Sequence, residues 1–136
     1  MDDIQDRLPG PDNLPGVAIK LQSAYVALAG KNLAVLVSFY QGLFERAPQV
    51  YIPERYAEFR LPSLKLALFK PGDETEFMGA AGSISLCLEV EDLVNAIAAL
   101  TNLGYPPPGN IIRASHGQEI YGYDPAGNRL ILHQSP

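Results

Sequence analysis

Two stretches of this chain carry one pattern of apolar residues. Leu33, Val37, Tyr40 and Leu43 recur 60 residues later as Leu93, Ile97, Leu100 and Leu103. The residues just ahead of the two runs, Asn32 and Asp92, keep the same offset. Apolar positions three and four apart lie on one helix face, and Asn or Asp at the start of such a run accepts hydrogen bonds from the helix's first unpaired amides. Tyr25 precedes Asn32 by seven residues, as Ser85 precedes Asp92, and each opens a strand-like run. A repeated unit of this kind is a small supersecondary motif that buries its apolar face against a neighbour.

The rest of each unit follows from alternation and turn residues. The first half reads as a strand over 24–30, a helix over 32–45, and strands over 49–52, 56–61 and 64–69, broken at Pro53 and Pro62-Ser63. The second reads as a strand over 83–90, a helix over 92–104 stopped at Gly104, and strands over 110–115, 118–123 and 129–133. The prediction is an α+β fold of two tandem βαβββ modules, 23–70 and 83–136, in one structural domain. The Asp-, Pro- and Gly-rich residues 1–22 read as an extended N-terminal arm, and the acidic, Gly-rich residues 71–82 as a linker.

Fifteen acidic against ten basic side chains give a net charge of −5, the wrong sign for a nucleic-acid backbone. The opening MDDIQDRLPG lacks the basic-then-apolar pattern of a secretory signal. No apolar run approaches the roughly 18 residues of a membrane helix. The expectation is a cytoplasmic protein that binds neither nucleic acid nor membrane. The single cysteine, Cys87, excludes an intramolecular disulfide and reads as a small buried apolar residue of a strand.

With AYVALAGKNLAVLVSFYQGLF opening the first half and SISLCLEVEDLVNAIAALTNLG…IYGYDPAGNRLILHQ forming the second, the chain resembles the vicinal oxygen chelate superfamily over about residues 23–135. That superfamily contains glyoxalase I, extradiol dioxygenases, methylmalonyl-CoA epimerase, and the fosfomycin and bleomycin resistance proteins. The resemblance implies a curved mixed sheet around a cleft, helices outside, and a homodimer. Alternation then puts Val26, Leu28, Leu64, Leu66, Leu68, Ile84, Leu86, Leu88, Leu130 and Leu132 against the helices. It turns Tyr25, Ala27, Lys65, Ala67, Phe69, Ser85, Cys87, Arg129, Ile131 and His133 toward the cleft, joined by Glu58, Arg60, Glu119, Tyr121 and Tyr123.

Metal-dependent members of the superfamily take one ligand from the first strand of each half and one carboxylate from the last. Those four positions fall here on Tyr25, Ala67, Ser85 and Ile131, which do not make a divalent-metal site. The expectation is therefore no metal and no cofactor, with His116, His133 and Glu119 the one remaining route to a metal or general-base site of unusual geometry. Ligand binding is expected from Tyr25, Ser85, Tyr121, Tyr123, Arg129 and Ile131, since tyrosines give stacking area and a hydroxyl at little entropic cost.

Three functions remain open to the sequence. One is a metal-independent protein that binds a small molecule, cationic or aromatic, in the cleft. Another is a lyase, isomerase or dioxygenase with non-standard residues, for which Glu119 and His133 are the catalytic candidates, with His116 as the only other histidine. The third is a non-catalytic scaffold whose cleft is filled by its own side chains.

Overall fold

A computed structural model describes residues 20, 22–72 and 84–136. The expected arm and linker fall outside the described residues except for Lys20, Gln22, Pro71 and Gly72. In chain order the elements are β1 (Val26–Ala29), α1 (Leu33–Phe44), β2 (Val50–Ile52), β3 (Tyr56–Leu61), β4 (Leu64–Phe69), β5 (Ser85–Glu89), α2 (Leu93–Asn102), β6 (Ile112–Ala114), β7 (Gly117–Tyr123) and β8 (Arg129–Gln134). Each agrees with its expected span to within two residues at either end, the usual play of element boundaries.

Both helices start where the caps predict. The Asn32 side chain accepts the Val35 amide at 3.3 Å, and Asp92 accepts that of Asn95 at 3.1 Å. The first amide of α2 has a further acceptor, the Gln134 side chain at 2.7 Å, so β8 itself helps to cap the helix. α1 ends on Glu45 in the left-handed region (φ 51), a conformation that costs a non-glycine residue about 1 kcal/mol. α2 ends ahead of Gly104 (φ 94), where glycine adopts it freely.

The strands form two four-stranded sheets, ordered β1-β4-β3-β2 and β5-β8-β7-β6. The β1–β4 and β5–β8 pairs are parallel and the remainder antiparallel. Registers such as Val26 with Leu66 and Leu86 with Leu130 gather the apolar faces expected from alternation. Those faces, with Leu33, Leu36, Val37, Phe39 and Tyr40 of α1 and Leu93 and Leu100 of α2, make one continuous core. Ile84 is the exception among the predicted helix-facing residues. It precedes β5 and is 67% exposed, because the strand starts one residue later.

A buried polar contact crosses this core. The buried Tyr40 hydroxyl donates to the buried Asp124 carboxylate at 2.7 Å, tying α1 to the turn between β7 and β8. Burial, and then the neighbouring carboxylate, hold the Tyr40 phenol well above its ordinary value, so it stays a donor. Asp124 also accepts the Ala126 and Asn128 amides, both at 2.9 Å, and the Asn128 side chain at 2.8 Å. With Gly127 at φ 87, the DPAGN sequence is a turn built around one buried carboxylate.

Candidate functional site

The faces turned away from the core carry the chain's exposed chemistry. On the second sheet, the registers Ser85–Arg129, Cys87–Ile131, Tyr121–Ile131 and Tyr123–Arg129 bring five of the six expected ligand residues onto one surface. Arg129 Nε donates to Ser85 Oγ at 2.6 Å, and its guanidinium carbon lies 6.0 Å from the centre of the Tyr121 ring. The hydrogen bond and the ring together orient the guanidinium. Tyr121 and Tyr123 are each 39% exposed.

Cys87 lies on this surface and is exposed, contrary to the burial expected of it. The cause is topological: β5 is an edge strand, and Cys87 points away from the α2 side.

The first sheet behaves differently. Tyr25 is 50% exposed, with Lys65 Nζ 4.2 Å above its ring centre. Lys65 also pairs with Glu58 at 3.6 Å, and the Tyr56 hydroxyl donates to Glu58 at 2.7 Å. Partial burial, and then the Glu58 carboxylate, push the Tyr56 phenol up to about 12. Glu58 lies opposite Ala67 across the β3–β4 ladder, and Ala67 is fully buried although it is on the open face. Its own neighbours cover that position. Tyr25 thus belongs to a separate group of side chains from the five on the second sheet.

The four positions that would hold the superfamily's metal carry a tyrosine under a lysine, a covered alanine, a serine bound to an arginine, and an isoleucine. A divalent ion has no set of donors there. The residues do not fit that metal.

Two ladder positions along β8 from Ile131 the character changes. His133 stands between Glu89 of β5 and Glu119 of β7 in one rung of the sheet. Its Nδ1 is 2.7 Å from one Glu89 oxygen and 3.0 Å from the other, and the Ser135 hydroxyl donates to the same carboxylate. The Glu89 contact holds the His133 imidazole above its ordinary value. The Ser135 and then the His133 contacts hold the Glu89 carboxyl below its own. The other nitrogen, Nε2, lies 3.0 Å from Nδ1 of His116, with the two rings nearly parallel and 5.2 Å apart.

A groove of about 690 Å³ runs between the end of α1, the β3–β4 turn and the start of α2, meeting the open face at Cys87 and Glu89, and none of the six expected ligand residues lines it. Three of its polar side chains are engaged elsewhere: Arg46 donates to the Arg60 carbonyl, Asp92 caps α2, and Glu89 holds His133. The open face of the second sheet is the better candidate.

No protein-family model matches the chain, and a search of curated proteins finds no match. Solved structures do match. A glyoxalase/bleomycin resistance protein from Catenulispora acidiphila is 18% identical, with a TM-score of 0.63, over 83% of this chain and 97% of that one. A lactoylglutathione lyase from Agrobacterium tumefaciens is 21% identical, with a TM-score of 0.65, over 85% and 96%. A fosfomycin resistance protein from Listeria monocytogenes is 15% identical, with a TM-score of 0.70, over 87% and 96%. Likeness at such identities establishes the fold.

Proposed function

On the glyoxalase/bleomycin resistance fold that this chain adopts, we propose a small-molecule-binding protein of that superfamily whose ligand lies against the open face of the second sheet. The ligand is held without a metal at the superfamily's four positions. The observation that carries this reading is Arg129, fixed by Ser85 at 2.6 Å beside the exposed rings of Tyr121 and Tyr123. An oriented guanidinium flanked by aromatic surface is a ready partner for a flat ligand that stacks and offers a hydrogen-bond acceptor. Of the two ligand classes expected from charge and composition, this arrangement favours the polar aromatic one over the cationic one.

Exposed apolar side chains support a homodimer in which a second copy covers the ligand. Val50 and Ile52 on the first sheet and Ile112 on the second are exposed, beyond what a ligand of small size would cover. No helix among the described residues is long and apolar enough to cross a membrane.

The test is a thermal-shift screen of chelator-treated protein against polar aromatic acids and amides. Compounds that raise the melting temperature of the parent chain and not of Arg129→Ala support the reading. No such compound, or equal shifts in both proteins, overturns it.

A further inference from the structure

We propose that His116, Glu119 and His133 form a binding site for one divalent transition-metal ion at the end of the second sheet's open face, with Glu89 orienting His133 from behind. The site is independent of the small-molecule reading and of the four positions where the superfamily binds metal.

His133 is the central donor of the site. Its Nδ1 faces the Glu89 carboxylate at 2.7 Å, an acceptor that favours the ring proton on that nitrogen and leaves the Nε2 lone pair facing the His116 ring. A carboxylate behind a histidine in this way is the usual support of a metal-ligating imidazole, because it sets the tautomer and raises the ring's basicity. The Ser135 hydroxyl in turn holds Glu89.

What Nε2 meets is a second imidazole nitrogen, Nδ1 of His116, 3.0 Å away. Two nitrogens bound to one ion at about 2.1 Å, with an angle between 90° and 110°, stand about 3.0–3.4 Å apart. The pair is therefore already spaced as two neighbouring ligands of one ion. The third donor is Glu119, opposite His133 on β7, and one ligand atom from each of the three residues lies within 4.8 Å of the others. Two imidazoles and a carboxylate suit zinc, nickel or cobalt better than magnesium or calcium, which take oxygen donors.

The backbone is shaped for this meeting. Ser115 and His116 form the two-residue turn between β6 and β7, and the left-handed conformation falls on Gly117, at φ 131. A Cβ on Gly117 would sit 2.2 Å from the Gln134 carbonyl oxygen and 3.0 Å from His133 Nε2. Glycine there lets the turn close onto β8 and keeps the space beside Nε2 clear of a side chain.

The experiment is calorimetric titration of the chelator-treated full chain with Zn²⁺, together with Co²⁺ absorption as a direct report of the ligands. One equivalent should bind, with visible bands from imidazole coordination. His116→Asn, a change in an exposed turn that leaves the fold intact, should weaken binding by about 10-fold or more, as should His133→Asn. Glu89→Gln should weaken it by about 10-fold to 100-fold without changing the stoichiometry. Cys87→Ser should bind like the parent. Absence of stoichiometric binding by the parent chain, or undiminished binding by His116→Asn, overturns the proposal. Failure of the aromatic screen with zinc binding intact would sink the small-molecule reading alone.

Discussion

The Tyr40 hydroxyl donates to the Asp124 carboxylate across 84 residues of chain, and so a single hydrogen bond in the core joins the helix of the first module to the last hairpin of the second. Both groups are buried, Asp124 at 3% exposure. Tyr40→Phe keeps the ring packing against Phe39 and Phe44 and removes only the donor. A hydrogen bond to a charged group contributes about 1.5–3 kcal/mol, and urea denaturation of Tyr40→Phe should show a loss in that range. No loss would mean that the backbone and Asn128 donors satisfy Asp124 without Tyr40.

Gly117→Ala should be destabilising by at least about 1 kcal/mol, since φ 131 is unfavourable for alanine and the added Cβ would overlap the Gln134 carbonyl. The same variant should lose affinity for Zn²⁺, because relief of the clash moves the His116 turn away from His133. Thermal melts and zinc titration of one preparation check both.

Tyr56 gives a pH dependence with a definite sign. Its phenol is raised from 10.0 to about 12 in the folded chain, so the folded state holds that proton more tightly than the unfolded chain does. The stability gained is fully present below pH 10 and is lost as the pH rises through about 12. The stability difference between the parent and Tyr56→Phe should therefore shrink over that window and be constant from pH 8 to 9. A difference that shrinks on the acid side instead would remove the Tyr56–Glu58 hydrogen bond from the account.

Exposed apolar residues on the sheet faces predict the assembly. Ile52→Asp and Ile112→Asp place charges on surfaces that are 48% and 43% exposed in the single chain, so they should leave the monomer's fold intact. If a second copy covers these faces, sedimentation should show the parent as a dimer and the double variant as a monomer. A parent chain that sediments as a monomer at high concentration contradicts the dimer.

Much of the fold was legible because its signals are local. Helix spacing, the caps Asn32 and Asp92, and period-two alternation in 64–69 and 129–133 each depend on neighbouring residues, and each sorted its side chains to the correct face. The DPAGN turn was legible as a turn, whereas the partnership of Asp124 with Tyr40 was not, because it joins distant elements through the core. The same limit applies to the candidate sites. His116, Glu119 and His133 could be picked out by type, and alternation put Glu119 and His133 on one face. The part played by Glu89 was missed, since it depends on the parallel β5–β8 register 44 residues apart. The usable signal was the period of two from Ser85 through Cys87 to Glu89. Cys87 was misread because strand sequence does not tell an edge from a centre.

An aromatic ligand on the second sheet's open face, bound with no metal at Tyr25, Ala67, Ser85 and Ile131, should leave a residue-by-residue signature. Amide NMR of ¹⁵N-labelled, chelator-treated protein titrated with the best aromatic acid or amide from the thermal screen reads that signature. Saturable shifts should gather at Ser85, Tyr121, Tyr123, Arg129 and Ile131 and be lost in Arg129→Ala. Shifts gathered instead along the groove at Phe44, Leu64 and Asn95, or shifts that arise only after a divalent metal is added, would contradict that binding mode.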